Sequence, residues 1–128
     1  MAKNTKKPSV SEKEASVEAT VTAISYDAIV DKFKIKVKNA KPPVDARVAA
    51  QVKLYGDVEG ILYVLIANGV AVVEPFDYRG ADIEIDADAA VFDSVLNGVK
   101  SISLAISDGD IKMQGNAGKA IVLAAAVF

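Results

Sequence analysis

The dipeptide Asn68-Gly69 lies between two apolar runs, and it restricts the fold more than any other feature. Residues 61–67 form an unbroken apolar run before it, and residues 70–73 form a second run after it. Asparagine and glycine accept the positive φ angles that a two-residue hairpin turn needs. The two runs are therefore predicted to be antiparallel neighbours, the first a central strand covered on both faces.

Three other segments alternate or carry short apolar patterns that fit the same sheet. Residues 48–54 alternate apolar and polar, and residues 82–86 place Ile83 and Ile85 between three acids. Residues 111–113 are predicted to form a last strand, whereas residues 102–106 fit either a strand or a helix. Because strands joined by tight turns run antiparallel, the sequence predicts an antiparallel sheet.

Helical patterns lie towards the two ends of the chain. Ser25 is a predicted N-cap for a helix that continues to about Val37 and ends before two prolines. Asp88 is a predicted N-cap for a second helix that ends near Leu96. Residues 119–128 are small and apolar, and they predict a buried helix. Strands in the middle and helices at the ends indicate an α+β fold.

The absence of His and Cys excludes several kinds of chemistry. The chain has no histidine and no cysteine, so a Ser–His–Asp triad, a cysteine nucleophile and the common zinc sites are impossible within it. A net charge of −2 gives no general attraction to nucleic acid. We therefore expect no enzyme, no cofactor and no nucleic-acid partner.

Two motifs approach known ligand loops and then depart from them. The acids at residues 82, 84, 86 and 88 begin like a calcium-binding loop, but Ala87 occupies the position that needs glycine. Residues 115–119 resemble part of a phosphate-binding loop, but Met113 and Ala120 replace its first glycine and its hydroxyl residue. The sequence therefore predicts neither a metal site nor a nucleotide site.

The N-terminal residues differ in composition from the rest. Residues 1–14 are polar and rich in lysine, which predicts a flexible tail, and residues 15–128 are predicted to form a single domain. Residues 15–24 alternate like a strand but equally fit the approach to a helix. No apolar run reaches the roughly 20 residues that span a bilayer. We expect a cytoplasmic protein that is not an integral membrane protein.

The order of these motifs resembles the sterol carrier protein 2 (SCP2) lipid-transfer domain family from Tyr26 to about Leu123. The similar segments are Gly56-Asp-Val-Glu-Gly60 with Leu62-Tyr-Val64, Asn68-Gly69, Val73-Glu-Pro75, Ala81-Asp-Ile-Glu-Ile-Asp86, Ala90-Val-Phe-Asp-Ser-Val-Leu-Asn-Gly98 and Gly109-Asp-Ile-Lys-Met-Gln-Gly-Asn116, followed by Gly118, Ala120 and Leu123. The last segment is the most specific. The resemblance implies a five-stranded antiparallel sheet with helices packed on one face.

The resemblance also implies non-catalytic binding of an apolar small molecule, of the sterol, fatty acid or acyl-CoA class, in a cavity between sheet and helices. The expected lining residues are Phe33, Leu54, Val64, Ile83, Ile85, Phe92, Leu96, Leu104, Met113 and Ile121. The last helix is the expected gate, and transient membrane contact is compatible with this function. The alternative is an interaction or accessory domain with a collapsed core. Such a domain would present its sheet edge or its C-terminal apolar segment to a protein partner or to a second copy.

Overall fold

The computed structural model describes residues 24–128. The elements in this part of the chain are α1 (Tyr26–Lys38), β1 (Val48–Tyr55), β2 (Gly60–Ala67), β3 (Val70–Glu74), β4 (Ile83–Asp88), α2 (Ala89–Leu96), α3 (Ile102–Ser107), β5 (Ile111–Gly115) and α4 (Ala117–Val127). The predicted tail, residues 1–14, and the predicted start of the domain at residue 15 lie outside the described residues.

The five strands form one sheet in the order β3-β2-β1-β4-β5. The hairpin predicted at Asn68-Gly69 is confirmed, because both residues have positive φ angles, 55° and 80°, and Ala67 pairs with Val70 across the turn. A side chain at residue 69 would be strained at that angle. The predicted α+β class and the number of strands are also confirmed.

The prediction of a fully antiparallel sheet is wrong for one pair of strands. β1 and β4 run parallel, with Ala50 opposite Ile83, whereas the other three pairs are antiparallel. The reason is the connection from β3 to β4, residues 75–82, which is not a tight turn. It crosses the sheet, where the backbone N–H of Tyr78 donates to the side chain of Gln51, and it delivers β4 beside β1 in the same direction.

The predicted helix starts are confirmed by their caps. The Ser25 hydroxyl accepts the N–H of Ala28 at 3.1 Å, and the Asp88 carboxylate accepts the N–H of Val91 at 3.1 Å. These bonds satisfy backbone donors that a helix leaves without partners in its first turn. The ambiguous segment at residues 102–106 is a helix, since Ser101 caps it in the same way.

The core lies between the helices and one face of the sheet. Every second residue of each strand faces the helices. These residues are almost fully buried, among them Val52, Leu62 and Ile85. The alternate strand residues form the outer face of the sheet, on which the 75–82 connection lies. On the other face, α1 and α2 pack against the core, each with four buried side chains.

The last helix differs from the prediction of a buried helix. Only Leu123 and Val127 of α4 are buried, and Ile121 is 70% exposed. The segment is apolar all round, so its sequence carries little information about which face is covered. No helix within residues 24–128 has both the length and the apolarity that crossing a bilayer requires.

Candidate functional site

An open groove of about 650 Å³ lies on the helical side of the molecule. Its walls come from the C-terminal part of α1, the end of α2, the start of α3 and one face of α4. The lining residues are Lys36, Val95, Gly98, Lys100, Ser101, Ile102, Ser103, Ile121, Ala124, Ala125 and Phe128. This volume falls within the range of about 300–1,000 Å³ that is usual for small-molecule sites.

Local sequence explains why the groove is open. Gly98 has a φ angle of 76°, which ends α2 and turns the chain towards α3. On the opposite wall, the groove face of α4 carries Ala124 and Ala125 one turn after Ile121. Alanine leaves more space beside a helix than any larger residue would. The groove is thus bounded by a turn on one side and by small side chains on the other.

Two lysines lie at the rim of this largely apolar groove. The Nζ of Lys100 donates to a carboxylate oxygen of Asp108 at 2.8 Å and lies 3.7 Å from Asp110. The hydrogen bond that Lys100 donates to Asp108 raises the pKa of Lys100, and this lysine therefore remains protonated at neutral pH. Within residues 24–128, Lys36 has no carboxylate within ion-pair distance. Among the described residues, Lys36 is therefore the rim lysine that can offer its charge to an anionic group.

Phe128 connects the groove to the core. Its ring lies 5.7 Å from the ring of Phe33 and 6.2 Å from that of Phe92, and those two rings contact each other edge to face at 5.5 Å. Such aromatic pairs contribute about 0.5–1.5 kcal/mol beyond the area that they bury. Phe33 and Phe92 are fully buried, so the side chain of Phe128 lies where the groove meets the core.

Most of the predicted lining residues meet in the core and not in the groove. Phe33, Leu54, Val64, Ile83, Ile85, Phe92 and Leu96 are at most 9% exposed and belong to one cluster, against which Met113 packs. Ile121 lines the groove. Leu104 is 52% exposed and is not among the groove residues. The structure thus brings eight of the ten side chains together as packed core.

Sequence reasoning missed most of the residues that line the groove. Val95, Ile102, Phe128 and the two alanines were not singled out, and neither were the lysines. The cluster of small residues at 117–126 was the one available signal, since small residues on an apolar helix leave room beside it. The lysines carried no sequence signal, because a charged residue in a loop or on a helix is usually only solvated.

The groove contains few groups that perform acid–base or nucleophilic chemistry. The Ser101 hydroxyl is engaged as the cap of α3, where it accepts the N–H of Leu104 at 3.1 Å. Within residues 24–128, no cluster of three or more acidic side chains is arranged to hold a metal ion. The groove offers an apolar surface that removes a ligand from water, and Lys36 at its edge can attract an anionic group.

Several solved structures share this fold. The crystal structure of sterol carrier protein 2 like 2 from Aedes aegypti matches with a TM-score of 0.62 at 16% identity, over 79% of this chain and 94% of that chain. The solution structure of palmitated SCP2L2 from the same organism matches with a TM-score of 0.67 at 17% identity, over 81% and 95%.

The fold also occurs as a small part of a larger protein. The stereoselective inverting sec-alkylsulfatase Pisa1 from Pseudomonas sp. matches with a TM-score of 0.52 at 15% identity, over 77% of this chain but only 14% of that chain. No curated protein sequence matches this chain significantly.

Sequence comparison with protein families gives the assignment directly. The family model described as the SCP-2 sterol transfer family matches residues 29–127, which include every strand, α2, α3, α4 and most of α1. The matched region thus contains the whole sheet, Phe33 and Phe92 of the aromatic cluster, and every groove residue except Phe128. This chain belongs to the SCP-2 sterol transfer family.

Proposed function

We propose that the protein binds an amphipathic lipid, with its apolar chain in the groove beside α4 and its anionic head at the lysine rim. The observation that carries the proposal is the groove itself, an apolar recess of about 650 Å³ with Lys36 and Lys100 at its edge. The family is a lipid-transfer family, and one structure of the same fold is described as palmitated. The role is binding and carriage, without catalysis.

The apolar walls supply the affinity. Burial of each methylene group contributes about 0.8 kcal/mol, so a chain of ten buried methylenes would contribute up to about 8 kcal/mol before the cost of immobilisation. Ile102, Ile121 and Phe128 are the largest apolar groups at the groove. Ile121 is 70% exposed without a ligand, and a bound chain would cover it.

The rim selects the head group. Lys36 lies in the last turn of α1 and Lys100 follows the turn at Gly98, and both line the groove. Since Lys100 already donates to Asp108, Lys36 is the lysine with more capacity for a new partner. A carboxylate or phosphate at this position would gain an ion pair together with a hydrogen bond, whereas a neutral ester would gain only a weaker hydrogen bond through its carbonyl oxygen.

Phe128 lies between the groove and the predicted lining residues of the core, because its ring contacts Phe33 and Phe92. Movement of the Phe128 ring away from Phe33 and Phe92 would extend the groove into the cluster that also contains Leu96. α4 has two buried side chains, so its displacement disrupts few contacts. In this proposal α4 is the gate, and the core residues line the deeper part of the site once the gate has opened. Transient contact with a membrane would give a lipid access to the gate.

Binding of palmitic acid and of methyl palmitate tests the head-group assignment. Native mass spectrometry and displacement of a fluorescent fatty acid would give both affinities. Lys36→Ala should weaken the binding of palmitic acid about 10-fold, through loss of one ion-paired hydrogen bond, and should weaken the binding of methyl palmitate much less. Lys34→Ala, an exposed lysine of α1 outside the groove, is the matched control. Equal weakening of both ligands would contradict the assignment.

A bulky residue in the groove tests the location of the chain. Ala125→Trp fills the recess from α4, and binding of both ligands should fall by at least 10-fold. Ala117→Trp makes the same change at an exposed position in the first turn of α4, outside the lining residues, and should bind normally. Unimpaired binding by Ala125→Trp, in a variant with normal thermal stability, would refute the groove as the ligand site.

A further inference from the structure

We propose that two copies of this chain associate through the free edge of β3 and form one continuous sheet across a two-fold axis near Val72. This surface is separate from the groove, and the proposal extends beyond lipid binding. It rests on the difference between the two edges of the sheet, on the apolar side chains along β3, and on the direction in which the β3 backbone groups point.

The two edge strands of the sheet differ in their protection against pairing. β5 carries exposed Lys112 and Gln114, and it ends in Gly115 with a φ angle of 125°. A charged side chain and a distorted strand end are devices that discourage edge-to-edge pairing. β3 is Val-Ala-Val-Val-Glu, a regular strand whose charged side chain, Glu74, is its last residue, directly before Pro75, so its first four residues carry no such protection. Among residues 24–128, only β2 hydrogen bonds to it.

Exposed apolar side chains line the unprotected edge. Val70 is 59% exposed and Val72 is 42% exposed, and both point to the outer face because the register places them opposite Ala67 and Leu65. Phe76, two residues after the strand, is 62% exposed. Contiguous apolar surface of this kind marks an interaction site more often than isolated apolar residues do.

The hairpin determines which backbone groups remain available. In a two-residue hairpin the residues that flank the turn, here Ala67 and Val70, exchange both hydrogen bonds, and the pattern then alternates. The N–H and C=O groups of Val70, Val72 and Glu74 therefore point to β2. Those of Ala71 and Val73 point outward, to the free edge.

One register satisfies both outward-facing residues. If Val72 lies opposite Val72 of the partner subunit, each Ala71 pairs with Val73 of the partner subunit, and about four backbone hydrogen bonds form. A register shifted towards the C-terminus would place Pro75, which has no N–H, in the ladder. In the chosen register Glu74 faces Val70 of the partner subunit, so no like charges are opposed.

The size of the contact sets the expected affinity. A five-residue ladder is about 17 Å long, so the interface lies below the roughly 1,200 Å² of standard stable complexes. We therefore expect association in the micromolar range or weaker. Analytical ultracentrifugation from about 10 μM to about 1 mM should show the mass rising from 13.4 kDa towards twice that value. A mass that stays monomeric over this range would overturn the proposal.

A cysteine at the axis gives a stricter test, because the chain has no native thiol. Across a non-hydrogen-bonded antiparallel pair the Cα atoms lie about 4.5 Å apart, within the range that a disulfide accepts. Val72→Cys should oxidise to a covalent dimer at least 10-fold faster than Val99→Cys, an equally simple change at a residue that is 79% exposed elsewhere. Equal rates would contradict the interface.

A charge at the same position should abolish association without affecting the lipid site. Val72→Lys should remain monomeric to about 1 mM, since two lysines would face each other at the axis. Val99→Lys should associate like the unmodified protein. Palmitic acid binding by Val72→Lys should be unchanged, and this reports that the variant is folded. Persistent dimers of Val72→Lys would refute the proposed edge, whatever the outcome for the groove.

Discussion

The two halves of the helical layer differ in how firmly they pack on the sheet. α1 and α2 each bury four side chains, their rings Phe33 and Phe92 are in contact, and Lys32 forms an ion pair with Asp93 at 2.6 Å. α3 buries one side chain and α4 buries two. The first half stabilises the fold, whereas the second half covers it loosely, and the groove lies at the boundary between them. A lipid site that must open is expected on the loosely packed side.

Truncation of a core ring should have the largest effect. Phe92→Ala removes a fully buried ring that contacts both Phe33 and Phe128, so the free energy of unfolding should fall by about 3–5 kcal/mol. Ile121→Ala, on the loosely packed half, should change it by no more than about 0.5 kcal/mol. Urea denaturation measures both. A similar loss for both variants would remove the distinction between the two halves.

Loss of an α4 anchor should have an intermediate and local effect. Leu123 is fully buried and is one of two buried side chains of α4. Leu123→Ala should reduce the free energy of unfolding by about 2 kcal/mol, at the low end for such changes, because the helix can shift into the space. Amide hydrogen exchange should accelerate in α4 and stay unchanged in α1. Equal acceleration in both helices would mean that α4 unfolds only with the whole domain.

The firmly packed half was also the more predictable half. Ser25 and Asp88 were recognised as caps, and apolar residues at helical spacing identified the buried faces of α1 and α2. The hairpin at residues 68–69 was recognised because a two-residue turn demands specific residue types. In these segments the local conformational preference, the apolar pattern and the tertiary packing all agree, and such agreement allows the structure to be predicted from the sequence.

The loosely packed half was predictable only in part, for physical reasons. Apart from Lys119, α4 is apolar on every side, so no periodicity distinguishes Leu123, which is buried, from Ile121, which is exposed. The parallel pairing of β1 with β4 depends on the route of residues 75–82 across the sheet, which local preferences do not specify. The groove depends on the first of these features, since α4 forms one of its walls. Its lining therefore escaped prediction, whereas the core residues behind it did not.

The smallest expected effect concerns the contact that holds the start of α4 to the sheet. Asp82 accepts the backbone N–H of Ala49 at 2.9 Å and the Nζ of Lys119 at 3.1 Å. The hydrogen bond from Ala49 lowers the pKa of Asp82 most; partial burial opposes this, and Lys119 lowers the pKa further. Asp82→Asn keeps an acceptor but loses the charge. The free energy of unfolding should therefore fall by about 1 kcal/mol at neutral pH, since the pair is partly exposed.

The pH dependence of this loss identifies its cause. A carboxyl group whose pKa is lower in the folded protein stabilises it fully above the ordinary pKa of 3.8, and that contribution disappears as the pH falls through the lowered value. The difference in free energy of unfolding between the unmodified protein and Asp82→Asn should thus be constant near neutral pH and vanish in acid. If the free energy of unfolding of Asp82→Asn stays below that of the unmodified protein in acid, packing, and not the charge, holds α4 to the sheet.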